Sequence, residues 1–170
     1  RRQFADLPAE HFAVVSNGFD PELVSAAPRP QSKSFHLVHA GALYYGRSLA
    51  AFLEAAARLV RQDAAFADAF SLTLLGTLDA RAHAEVAQHA LGERIRVSGQ
   101  QPHAAAIHAI QEADVLLLVS NTTAGAEATV PGKLFEYLAV GGPILAVAPR
   151  ESSSADVLAQ THAGWLAPAQ

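Results

Sequence analysis

The chain contains no cysteine and no methionine. The first absence excludes disulfides, thiolate metal sites and cysteine nucleophiles, and it fits a reducing compartment. The second extends to position 1, so the sequence reads as a piece of a longer protein and its start cannot be judged for a leader. Charge is scarce: 16% of residues are Asp, Glu, Lys or Arg, with a net charge of −4. No basic face stands out, which argues against a nucleic-acid partner. No apolar run approaches the roughly 18 residues of a membrane span; the longest, Val115 to Val119, has the length of a strand. The familiar phosphate loops are missing too. A Walker loop ending at Lys133 needs glycine at 127 and Ser or Thr at 134, where Glu127 and Leu134 stand. No G-x-G-x-x-G follows the first apolar run, and no G-x-S-x-G elbow exists. The histidines are scattered without a metal-ligand spacing, so no bound metal is expected. Most read as exposed helix residues, with His39 the exception because it stands near the end of a strand.

What is present is an alternation. Hydrophobic residues make up 51% of the 170, enough to bury a core and too many for disorder. Phe35 to Ala40, Ser71 to Leu75, Arg94 to Ser98, Asp114 to Ser120, Ile144 to Val147 and Gly164 to Ala167 read as strands. Between them, Ser48 to Gln62, Ala80 to Leu91, His103 to Glu112, the segment after Pro131, and Ala155 to Gln160 read as helices. In the first helix Leu49, Phe52, Leu53, Ala56 and Leu59 form the inward stripe. Apolar strands alternating with helices imply an α/β fold with a parallel sheet buried on both faces: a doubly wound, Rossmann-like, three-layer α/β/α domain. Such sheets bind ligands at the carboxyl ends of their strands. The loops 41–47, 99–102 and 120–131 are therefore the ones to inspect.

The most informative stretch is Val130-Pro131-Gly132-Lys133-Leu134-Phe135-Glu136, continuing to Gly141-Gly142-Pro143. Pro131 and Gly132 open a helix, and Lys133 and Glu136 share a face of its first turn. Gly141 ends it. A helix N-terminus presents free N–H groups and a positive dipole end, which suit phosphate. A carboxylate one turn in can accept from two adjacent hydroxyls, as on a ribose.

This stretch, from Val130 to Ala146, resembles the nucleotide-sugar-binding segment of retaining glycosyltransferases of family 4 (glycosyl transferases group 1), which have the GT-B architecture. Three further pieces match in the same order. Residues 14–20, with Asn17-Gly18-Phe19-Asp20, resemble the turn where such chains enter their C-terminal domain. His39-Ala40-Gly41 through Gly46-Arg47 resembles the Gly-rich loop after that domain's first strand, and Ala113-Asp114-Val115 through Ser120 its "ADV…PS" strand. The resemblance implies that Glu136, the second glutamate of the family's E-x7-E motif, holds the donor ribose. It implies that the backbone amides of Gly132, Lys133 and Leu134 face the diphosphate, with Gly41 in the loop opposite. Arg47, with Lys133 as a second candidate, would supply positive charge to the phosphates and to the leaving group. Gln100 and Gln101 stand where the family contacts the base. Tyr44 and Tyr45 read as packing residues. Two positions depart from the pattern. The first glutamate of the motif falls on Ala128, with Glu127 one residue off, and the Lys-Gly that usually follows the Gly41 loop is absent. The donor sugar therefore stays open.

The resemblance implies a lead-in segment and linker over residues 1–34, continuing from an absent N-terminal domain, and a nucleotide-sugar-binding domain over 35–170. The full enzyme would move a sugar from a UDP- or GDP-linked donor to a glycan or lipid-linked acceptor, in bacterial polysaccharide assembly. It would need no cofactor or metal, and would work in the cytoplasm or at the inner membrane through the absent part. Two alternatives are a GT-B-type nucleotide-sugar epimerase and a non-catalytic doubly wound regulatory or interaction domain.

Overall fold

The computed structural model describes residues 4, 6–13, 15, 17–21, 34–89 and 91–169. Of the expected lead-in segment and linker over 1–34, residues 22–33 fall outside them, as do Val14 and Ser16 of the lead-in turn. From Phe35 onward the chain alternates strand and helix. β1 is Phe35–Ala40, α1 Ala50–Gln62, α2 Ala64–Ala69, β2 Phe70–Leu75, α3 Ala80–Gln88 and β3 Ile95–Gly99. Then follow α4 His103–Glu112, β4 Val115–Val119, α5 Gly132–Val140, β5 Ile144–Ala148, α6 Ser153–Thr161 and β6 Gly164–Pro168. All six strands are parallel in the order β3-β2-β1-β4-β5-β6. This is the doubly wound order, with its switch point between β1 and β4.

The strands divide their side chains between two cores, because successive residues point to opposite faces. Leu37, Leu72, Leu74, Leu117 and Val119 pack beneath α1 and α3. Val38, Leu116, Leu118 and Ala146 pack beneath α4, α5 and α6, meeting Ile107, Ile110, Leu134, Tyr137 and Leu158. Ala106, Ile107 and Ile110 point inward as their spacing predicts. The central strand β4 is buried at every position, whereas the edge strands β3 and β6 are half exposed.

Three details differ from the sequence reading. The first helix begins at Ala50, and Leu59 is 42% exposed rather than part of the inward stripe. A short helix, α2, fills the stretch before β2, started by Asp63, whose side chain accepts from the Phe66 amide. The third helix stops at Gln88, and Gly92–Arg94 forms a separate 3-10 turn.

Candidate functional site

Backbone pairing between β1 and β4 is confined to Leu37 with Val115 and Val38 with Leu116. Beyond that the strands part, and two buried side chains bridge the opening. The Tyr137 hydroxyl accepts from the Ala40 amide at 2.8 Å and lies 3.4 Å from the Leu117 carbonyl. His39 Nδ1 lies 2.9 Å from the same carbonyl. A carbonyl only accepts, so Nδ1 carries the proton and Nε2 presents a lone pair. Burial is the main reason that the His39 pKa falls to about 4, and the positive charge of Arg47 pushes it the same way. Burial likewise raises the Tyr137 phenol well above its usual range, so it stays a neutral donor and acceptor. A Tyr137→Phe variant strands the Ala40 amide in the core. It should lose about 1–3 kcal/mol in urea unfolding, and a loss near zero would show that the hydroxyl is dispensable.

Two adjoining hollows open at this end of the sheet and share Ala40, Gly41, Ala42 and Lys133. One, about 200 Å³, is lined by His39, Tyr44, Arg47, Pro131 and Gly132. The other, about 410 Å³, reaches across the ends of β2 and β3 to Thr77, Gln100, Gln101 and His103. Of the residues singled out in the sequence, Gly41, Arg47, Gln100, Gly132 and Lys133 thus line one continuous cleft. Glu136 lines neither hollow and is held between His103 and Lys133, which line the larger one. Its Oε2 accepts from Lys133 Nζ at 2.6 Å, so the two side chains that share a face of the first turn are also paired with each other. Leu134 contributes otherwise than expected: its amide donates to the Pro131 carbonyl at 3.0 Å and its side chain is fully buried. The first-turn amides of Gly132 and Lys133 are too early in α5 to have intrahelical acceptors. Gly141, in the left-handed region at φ 72°, closes the helix.

His103 is a functional candidate that sequence reasoning misses. Its context suggests an ordinary exposed helix residue, yet its Nε2 lies 3.5 Å from Glu136 Oε1 at the mouth of the larger hollow. Its place at the first position of α4, facing the loop side, is the available signal. Tyr44 and Tyr45 are not packing residues: they are 49% and 77% exposed, and Tyr44 lies under the Arg47 guanidinium at 5.3 Å. Glu127 sits exposed in a 3-10 turn, Ala126–Ala128. Among the described residues, no group of three or more His, Asp or Glu side chains is placed to hold a metal ion. A separate hollow of about 450 Å³ lies under α1, lined by apolar residues such as Phe35, Phe52, Leu145 and Trp165. It offers no charged group, and the chemistry belongs to the cleft.

The family model for "Glycosyl transferases group 1" matches residues 34–170. The chain is 27% identical over 163 residues to the amylovoran biosynthesis glycosyltransferase AmsK of Erwinia amylovora, covering 95% of this chain and 39% of that protein. It thus spans well under half the length of this relative. Among solved structures, WaaG, a glycosyltransferase involved in lipopolysaccharide biosynthesis, superposes with a TM-score of 0.75 at 15% identity, over 98% of this chain and 45% of that one. HepE of Anabaena, solved with UDP and glucose, gives a TM-score of 0.65 at 18% identity, over 95% and 44%. Those two likenesses establish the fold, and the match along residues 34–170 establishes the lineage: the chain belongs to the group 1 glycosyltransferase family.

Proposed function

We propose that this chain is the donor-binding domain, over residues 35–170, of a glycosyltransferase that works with a second domain holding the acceptor. The observation that carries the reading is the cleft at the switch point, with Arg47 on one wall and Gly132 and Lys133 on the other, and with Glu136 held beside it by Lys133 and His103. A nucleoside diphosphate sugar fits it by chemistry. The Glu136 carboxylate accepts from the ribose hydroxyls, with its second oxygen steadied by Lys133. The diphosphate lies against the Gly132 and Lys133 amides at the start of α5, where the helix dipole favours negative charge. Gln100 lies farther along the cleft, in reach of the base.

In transfer, the bond from the sugar carbon to the diphosphate oxygen breaks, and its electron pair leaves with the diphosphate. A new bond forms from that carbon to an acceptor hydroxyl oxygen, whose proton passes to the departing diphosphate. Arg47 and Lys133 stabilise the charge gathering on the diphosphate, a contribution that removal of one such group typically shows as about 3–4 kcal/mol. The acceptor is a glycan or a lipid-linked acceptor and the pathway that of a bacterial polysaccharide, as the amylovoran relative suggests. Taken alone, the domain binds nucleotide without transferring sugar.

UDP, present in the HepE structure, is the first probe, with GDP the second. Calorimetry should show binding of one of them. Glu136→Ala should weaken it by about 1–3 kcal/mol, the scale of hydrogen bonds to a charged group. Unchanged affinity removes Glu136 from the site, and binding of neither nucleotide overturns the reading.

A further inference from the structure

Arg47 lies in the loop between β1 and α1, and the residues on both sides of it are tied to distant parts of the chain. Before it, the Gly46 carbonyl accepts from the Thr122 amide at 3.2 Å and from the Thr122 hydroxyl at 3.1 Å. Thr122 belongs to the loop after β4, across the switch point. That loop is itself braced, because Asn121 Oδ1 accepts from the Thr123 amide at 2.8 Å. The two loops meet without room for a side chain: at Gly46, with φ +82°, a Cβ would lie 2.3 Å from Asn121 Oδ1 and 2.6 Å from Thr123 Cγ2.

After Arg47, the anchor is Glu85 of α3, only 7% exposed. Its Oε1 accepts from the Ser48 hydroxyl at 2.8 Å and its Oε2 from the Leu49 amide at 2.8 Å. Leu49 supplies no side-chain cap to α1, so the carboxylate that satisfies the helix start comes from α3. Arg81 Nε, at 3.0 Å from Oε1, completes the set around Glu85. Residues 46, 48 and 49 are therefore fixed from outside their own loop. The guanidinium between them rests over Tyr44 and lines the smaller hollow.

We propose that Thr122 and Glu85 are positioning residues that hold Arg47 ready for the diphosphate of the nucleotide. The inference rests on the donor-site reading above and adds to it a source for the preorganisation that an electrostatic site requires. Side-chain freedom that is already restricted before binding does not have to be lost on binding. Neither Thr122 nor Glu85 lines the hollows that would take the ligand.

The test compares UDP or GDP, whichever binds, with the matching nucleoside, which lacks phosphates. Thr122→Val removes the hydroxyl from an exposed loop position, and Glu85→Gln keeps the shape of the side chain while losing an acceptor. Each should weaken the diphosphate about five- to twentyfold and leave nucleoside affinity unchanged, with Thr122→Ser restoring the wild-type value. In an Arg47→Ala background the same substitutions should cost nothing further, since the group they position is gone. Additive losses in that background, or equal losses for nucleoside and diphosphate, overturn the positioning role while leaving the donor site intact. Wild-type protein that binds neither diphosphate overturns both.

Discussion

An alanine at Gly76 should break the floor of the cleft. Gly76 follows β2 with φ +123°, a conformation that side chains of the L series rarely adopt. A Cβ there would lie 2.3 Å from the Gly41 carbonyl oxygen, 2.6 Å from its carbon and 3.2 Å from the Ala42 nitrogen. All three are backbone atoms, so no rotamer change relieves the clash. The neighbouring ties are short: Gly41 N–H donates to Leu75 at 2.8 Å, Leu43 N–H to Thr77 at 2.8 Å, and Gly76 N–H to Gly99 at 2.7 Å. Moving Gly76 therefore disturbs the loops after β1, β2 and β3 together, and Gly41 lines both hollows. The expected cost is about 3–5 kcal/mol, combining backbone strain with displaced packing, and nucleotide binding should fall with it. Gly99 supplies the control. It also has positive φ, +63°, but nothing lies within 4 Å of its would-be Cβ. Gly99→Ala should therefore cost only the left-handed backbone, about 1–2 kcal/mol. Urea unfolding of the two variants settles the matter: if they lose the same stability, the contact with Gly41 carries no weight.

The sheet was legible in the sequence because buried parallel strands are short apolar runs. The six expected strands all form, with ends within about a residue of those expected. The start and end of α5 were legible from Pro131, Gly132 and Gly141, since each acts through local backbone geometry. That Lys133 and Glu136 share one face was legible for the same reason, being one turn apart, and the structure adds that they pair. What escaped was of two kinds. The helix α2, six residues long, is too short to show a helical period, and only Asp63 as a cap announced it. The other misses are long-range. Nothing near Glu85 in sequence says that it caps a helix 36 residues away, and nothing near Tyr137 says that its hydroxyl meets Ala40. His103 and Glu136 likewise meet only because α4 and α5 lie side by side on one face of the sheet. Spacing rules reach one turn or one strand, and these contacts depend on the topology. The candidate site was therefore readable as a set of residues but not as an arrangement.

Acid should weaken this domain as pH falls from 6.5 toward 4, and His39 is the reason. In the folded chain its imidazole is buried and neutral, with its pKa lowered from 6.5 to about 4. In the unfolded chain it takes a proton near 6.5. Between those values the unfolded state binds more protons than the folded one, so stability rises with pH across the window and falls as pH drops through it. The stability is fully present above pH 6.5, and about 3 kcal/mol is lost by pH 4, because moving a pKa tenfold in proton affinity corresponds to about 1.4 kcal/mol. His36, whose pKa burial also lowers, acts in the same direction. A His39→Asn variant keeps a donor for the Leu117 carbonyl but does not titrate in this range. Its unfolding free energy, followed from pH 7.5 to 4.5, should therefore have a shallower slope than that of the wild type. The two curves should converge as acid removes the advantage of the neutral imidazole. Parallel curves would mean that His39 takes its proton in the folded state as readily as in the unfolded one. The imidazole would then have to reach water through the smaller hollow that it lines.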